Sequence, residues 1–379
     1  MKHTVLSIVV ATSIVLCAGG LVFAELPSDQ MTTVELPEPS PNWVFALDSG
    51  YPSAMISRIN IIDGSSRKLL GQLNGGYLAN FEISPDHREM YMIDTYYSRG
   101  WHGTRTDVVS IFDAKSLKYT GEVEIPPKRL LIVPKRDSAA ITPDGRFLFV
   151  ANMTPATSVS VVDLKSRKFA GEIDITGCSQ VLVGGNRRFA SMCADGSILT
   201  VDLDDAGKLK SRRQSKPLFD PNNDPIMDQP AMIGSKAYFV SYHGMILPVD
   251  ISGEQAAAEP AWSILGDTDK SQSWKPGGWQ AITAERKTGR LFVLMHKGGE
   301  WTHKQTGTEV WIFDSASKKR VGRIKLKTEG YSILASQGDN PLLVNLSLVQ
   351  SQFETYSIPE GKYQGVFPGL GTDFLIYGP

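Results

Sequence analysis

The side chains from which a catalytic or metal site is assembled are few here and badly spaced for the task. Outside the first two dozen residues the histidines are His87, His102, His243, His296 and His303. His296 and His303 flank Lys297-Gly298-Gly299-Glu300-Trp301-Thr302, where the paired glycines break the helix that a zinc-protease motif requires. They read as polar loop histidines. Asp220-Pro221-Asn222-Asn223-Asp224 offers oxygen ligands without the regular alternation of a calcium loop. There is no Gly-x-Ser-x-Gly elbow, and neither Gly75-Gly76 nor Gly184-Gly185 opens a helix that would bind phosphate. Asp107 and Glu300 are candidate buried carboxylates. On these residues the chain carries no catalytic group and no metal ligand set of its own.

The cysteines say more. Cys17 lies in an apolar N-terminal run, which leaves Cys178 and Cys193. Each sits at the end of an apolar stretch, and two neighbouring antiparallel strands would bring them together. In an exported chain such a pair reads as one disulfide, worth about 3 kcal/mol for a loop of that size. The alternative is two buried thiols. Export itself is read from residues 1–24: Lys2, the apolar run Val5 to Cys17, then Val22-Phe23-Ala24 before a polar Glu25-Leu26-Pro27. That is the pattern of a cleaved secretory signal peptide, and it is short for a membrane span. Residues 25–42 carry several prolines and read as an extended arm, lying on a neighbouring subunit or disordered. The net charge of −1, without basic blocks, argues against nucleic acid. No later stretch is apolar enough to enter a membrane.

What positions these residues is a repeat. A short strand ends in Asp, a polar turn follows, and a second strand opens, often on Gly. Ile59 to Asp63, Val108 to Asp113, Val159 to Asp163, Ile198 to Asp202, Met245 to Asp250 and Val310 to Asp314 are six copies. Phe353 to Ser357 is a degenerate seventh. The Asp side chain can bond the backbone of the turn ahead. Ser84-Pro85-Asp86 and Thr142-Pro143-Asp144-Gly145 mark preceding turns in two copies. Several short strands per unit, at a spacing of roughly 40–50 residues, predict an all-β, seven-bladed β-propeller over residues 43–379. The wide step between Asp250 and Asp314 implies an insertion. Within it, Gly253 to Pro260 reads as a surface loop, and Asp267 to Lys270 and Trp274 to Trp279 as ordered loop. Loop-borne Tyr96, Tyr97, Trp101, Trp274, Trp279 and Trp301 are divided between packing and interface roles, and Trp311 reads as blade packing.

Several segments resemble the heavy subunit of the quinoprotein amine dehydrogenases, both the methylamine and the aromatic (aralkylamine) branch. They are Tyr97-Ser98-Arg99, Gly103 to Asp113, Thr154 to Ser158, the Cys178 and Cys193 pair, and Tyr238 to Gly244. Trp274 to Gln280, Gly289 to His296 and Glu300 to Lys304 complete the set, over about residues 43 to 325. Pro126-Pro127-Lys128-Arg129, Ser215-Lys216, Asp224-Pro225-Ile226 and Trp262 to Leu265 are similar to the aromatic branch. Gly75 to Asn80 is similar to the methylamine branch, in which the residue at Tyr77 helps line the substrate passage.

The resemblance implies a seven-bladed propeller in a complex of two heavy and two disulfide-rich light chains in the periplasm. It implies a tryptophan tryptophylquinone cofactor made from two tryptophans of the light chain, with the catalytic base there too. A primary amine would be oxidised to aldehyde and ammonia, and electrons passed to a blue copper protein of the amicyanin or azurin type. The cofactor would carry the chemistry, and this chain would supply orientation and access. The other readings are a stand-alone propeller, either a metal-dependent lactonase-like hydrolase or a protein-binding module.

Overall fold

Runs of alternating β-branched and aromatic residues, cut every few positions by Asp, Gly or Pro turns, permit only short antiparallel strands. A computed structural model describes residues 35–50 and 53–379 and bears this out. The leader expected over residues 1–24, and residues 25–34 of the arm, lie outside the described residues.

Seven antiparallel sheets follow one another along the chain, each formed of sequential strands. Their innermost strands are Asn80–Ile83, Ala139–Ile141, Cys178–Gly185, Ala231–Ile233, Ile282–Glu285, Ser332–Ala335 and Asp373–Tyr377. The last of these pairs with Trp43–Asp48, setting Phe45 opposite Tyr377, so the C-terminal strand completes the first sheet and closes the ring. This is the predicted seven-bladed propeller. The third strands are Ser57–Asp63, His102–Asp113, Ser158–Asp163, Ile198–Leu203, Met245–Asp250, Gly307–Asp314 and Gln352–Ser357. These are the seven repeat copies, so the repeating Asp marks the turn into each outermost strand.

The turn works as its chemistry demands. Asp63, Asp113, Asp163, Asp250 and Asp314 each accept a backbone N–H from a serine two or three residues on, over 2.7–3.0 Å. In four copies a further bond runs from the residue four positions on to the carbonyl that opens the turn: Arg67, Leu117, Lys318 and Gly361. All four have positive φ, between 56° and 66°, and only the degenerate copy places glycine there. Ser84 and Thr142 cap the inner turns through Asp86 and Asp144, each over 2.7 Å.

Several segments differ from expectation. Ala257–Ala258, in the stretch read as surface loop, pairs with Val249 and Asp250 as a short outer strand. The arm from Glu35 onward folds back on its own propeller: Leu36 is buried and its N–H donates to the Lys115 carbonyl over 2.8 Å. The insertion also holds a single helical turn, Asp267–Ser271, and an extra strand, Trp274–Pro276, that pairs with Arg290–Lys297.

Strand order defines two faces. Connections between second and third strands, and those between blades, emerge together on one face; the remaining turns emerge on the other. The second blade is exceptional. Its middle strands, Glu89–Arg99 and His102–Asp113, run about twice the usual length, so their hairpin stands above the first face.

Candidate functional site

Tyr77 lies on that first face, in the connection from the first blade to the second. Its ring meets Tyr97 at 6.3 Å and Trp101 at 5.6 Å, both edge-on, with the two partners carried by the long hairpin. With Met55, Ile56, Gly75, Gly76 and Tyr96 they line a cleft of about 230 Å³.

The backbone beneath Tyr77 is fixed from several directions. Its N–H donates to the Thr95 carbonyl over 2.9 Å, and the Gly76 N–H donates to Asp94 over 2.8 Å. A Cβ on Gly76 would stand 2.5 Å from the Thr95 carbonyl oxygen, so only glycine allows this approach. From below, the buried Arg129 donates through Nη2 to the Tyr77 carbonyl (2.8 Å) and through Nη1 to the Leu78 carbonyl (3.0 Å) and Asn80 (3.2 Å). Its Nε donates to Thr95 Oγ1 (3.1 Å). Arg129 is held in turn by Asp107, which accepts its backbone N–H (2.9 Å) and a two-pronged contact from Arg105 (2.9 and 2.7 Å). Burial pulls the Arg129 pKa down to about 10 against the opposing pull of Asp107 and Asp94. Burial likewise raises the Asp94 pKa, although Gly76, Ser110 and Tyr96 all donate to it.

The other sequence candidates separate. Asp107 is buried and structural, whereas Glu300 is exposed. Cys178 and Cys193 are register partners at the first face and form a disulfide, their Cα atoms 3.8 Å apart. Asp220 and Asp224 brace their own loop: Asp220 accepts from Asn222 and Asn223, and Asp224 from Ser241 and His243. His296 is buried, shares a hydrogen with Thr302 (2.8 Å), and has its pKa lowered by burial and by Lys275. Burial and Lys304 lower that of His303. Among the described residues no three His, Cys, Asp or Glu side chains converge on one point. Trp311 and Trp274 are buried in packing, and Trp279 donates to the Pro134 carbonyl (3.0 Å) above the central channel. Trp101 and Trp301 are exposed.

Below Trp279 the channel widens to about 390 Å³, open towards the second face and lined by residues of all seven blades. Glu82 and Asp137 stand close together in it, with Arg136 beside them. Burial raises both carboxyl pKa values, with a further push from Asp137 on Glu82 and from Asp228 on Asp137, and Arg136 opposing it in each. Sequence reasoning missed this cluster, because nothing in the strand pattern distinguishes Glu82 from a solvated edge residue.

Exposed large apolar side chains are distributed unevenly. The first face carries Met55, Ile56 and Leu370 around the first blade, Tyr96 and Trp101 on the second, and Met153 on the third. Trp301 on the sixth and Val349 on the seventh continue the arc. The others, Leu69, Tyr119, Phe169, Leu209, Val321, Tyr363 and Val366, lie on outermost strands. Among the described residues, the turns of the second face present none.

Residues 41–376 match the family model of the methylamine dehydrogenase heavy chain. The methylamine dehydrogenase heavy chain of Methylophilus methylotrophus is 28% identical over 93% of this chain and 87% of its own length. That of Methylorubrum extorquens is 30% identical over 84% and 78%. Solved structures share the fold at low identity. A functionally unknown protein from Desulfotomaculum acetoxidans superposes with a TM-score of 0.61 at 13% identity, over 89% of this chain and 98% of its own. A dihydro-heme d1 dehydrogenase does so at 0.55 and 14%, over 92% and 77%.

Proposed function

The chain belongs to the methylamine dehydrogenase heavy chain family, and on that premise we propose that it is the large, non-catalytic subunit of a periplasmic amine dehydrogenase dependent on tryptophan tryptophylquinone. The complex would hold two heavy and two light chains, deaminate a primary amine to aldehyde and ammonia, and reduce a blue copper protein. The observation that carries this reading is the gathering of exposed apolar side chains on the face that bears Tyr77. Exposed apolar side chains gathered on one face of a molecule mark a protein interface. A light chain seated there would cover it.

The quinone of the light chain would supply the electrophilic carbonyl and the two-electron store for amine oxidation. This chain's part is access. Tyr77, with Tyr97 and Trp101 edge-on to it, gives an apolar wall that excludes water and selects the amine by the width of its substituent. Arg129 keeps the wall in place by holding the Tyr77 and Leu78 carbonyls. The hydrolase reading has weaker support: the channel offers two carboxyls beside arginines and no imidazole, a poor donor set for a catalytic metal.

Purification of the chain from its native periplasm tests the proposal. A small cysteine-rich companion that absorbs visible light, with amine-dependent reduction of a copper acceptor, is the expected result. A chain isolated alone, with no amine oxidation in the periplasmic extract, would overturn it.

A further inference from the structure

Trp301 is the most exposed large apolar side chain among the described residues, at 72%. Its backbone is also in the left-handed region, with φ at 59°, a conformation that bulky L-residues avoid. Both features oppose folding, yet the loop is built to enforce them. The Trp301 N–H donates to the Tyr242 hydroxyl, and the indole stacks on the Tyr242 ring at 5.6 Å and 29°. Tyr242 is buried, with the Lys275 ammonium 4.7 Å from its ring centroid and His303 edge-on at 5.6 Å. Thr302 ties the loop across, donating to the Gly299 carbonyl (3.0 Å) and bonding His296 (2.8 Å). A Cβ on Gly298 would stand 2.4 Å from Thr302 Oγ1, so the loop closes only around glycine.

Strain maintained by this much bracing points to a task outside the chain, since the outer side of the indole is left to solvent. A rigid, pre-positioned tryptophan loses little freedom on binding, which is why such residues dominate interface energetics. The surroundings indicate the partner's chemistry. Lys275, Lys297 and Lys304 lie over the rings of Tyr242, Trp274 and Trp279, at 4.7, 5.2 and 4.7 Å. None of the three forms an ion pair with a carboxylate among the described residues. Glu309 and Glu329 line the adjoining groove but are engaged by Trp311 and Thr306.

We infer that Trp301 is the principal anchor for the light chain, entering an apolar socket on that subunit whose rim is acidic. The inference rests on the subunit reading above and deepens it: Trp301 leaves the sixth blade on the same face as Tyr77, at the far end of the apolar arc.

The test measures association of the full-length heavy chain with the light chain of its complex. Trp301→Ala is expected to raise Kd at least about thirtyfold with no loss of melting temperature in the free chain, and Trp301→Phe to fall between it and wild type. Met153→Ala and Val349→Ala, exposed on the same face, are expected to change Kd less than about threefold. The double variant Lys297→Gln, Lys304→Gln is expected to slow association and flatten its salt dependence. Wild-type affinity retained in Trp301→Ala would overturn the anchor while leaving the subunit reading intact. Failure of the wild-type chains to associate at all would overturn both.

Discussion

Arg129 Nη2 donates to the carbonyl oxygen of Tyr77 over 2.8 Å, across a sequence separation of 52 residues. The bond joins the connection leaving the second blade to the connection entering it. It makes the position of a half-buried aromatic ring depend on a fully buried guanidinium.

Lysine cannot replace that guanidinium. Arg129→Lys keeps the charge but reaches one acceptor where arginine reaches the Tyr77 and Leu78 carbonyls, Asn80 and Thr95 together. Orphaned buried carbonyls, with the Asn80 and Thr95 oxygens beside them, should lower stability by about 3 kcal/mol. Denaturant unfolding of the purified chain measures it, and a midpoint equal to wild type would show the clamp to be dispensable.

Tyr77→Ala removes the ring and leaves the backbone clamp. Unfolding midpoints should stay close to wild type, because the ring is half-buried and the backbone bonds beneath it do not involve it. In the assembled enzyme, the ratio of kcat/KM between aromatic and small aliphatic amines should move by about tenfold or more. Unchanged relative rates across a series of amines would remove Tyr77 from the passage.

The disulfide closes a loop with a sequence separation of 15. Replacing both Cys178 and Cys193 by serine should cost about 3 kcal/mol through the freedom returned to the unfolded chain. The comparison is the denaturation midpoint of the double variant against oxidised wild type. Wild type in excess reductant should fall towards the variant.

Asp373, on the innermost strand that closes the ring, is buried beside Asp48, and burial together with that neighbour raises its pKa to about 6. A carboxyl raised in the folded state favours folding fully below its unfolded pKa near 4, and the contribution is lost as pH rises through about 6. Wild type should therefore lose up to about 3 kcal/mol relative to Asp373→Asn between about pH 4 and pH 7. Parallel stability profiles for the two proteins across that range would rule the effect out.

The architecture was legible because its causes are local. Alternation along a strand and an Asp that bonds the next turn act within a few residues, so six aspartates and Ser357 reported seven blades without reference to anything distant. The cysteine pairing was legible too, although Cys178 opens its strand and only Cys193 ends one; the apolar stretch before Cys178 belongs to the preceding blade. Arg129 was visible only as part of a Pro-Pro-Lys-Arg segment that any reading by polarity would put in solvent. Its burial exists because successive blades press their connections together. Glu82 and the adjacent Arg136 and Asp137 likewise come from two neighbouring blades and meet only at the axis.

The sequence by itself thus determined the strand pattern, the number of blades, the disulfide partners and, through its resemblance, the family. Tertiary structure alone decided which tryptophans face solvent, which carboxylates are buried, and that Tyr77 and Trp301 emerge on one face. The physical reason is range. Propensity and turn chemistry act between neighbours in the chain, whereas exposure, desolvation and the facing of loops depend on ring closure, which pairs Phe45 with Tyr377.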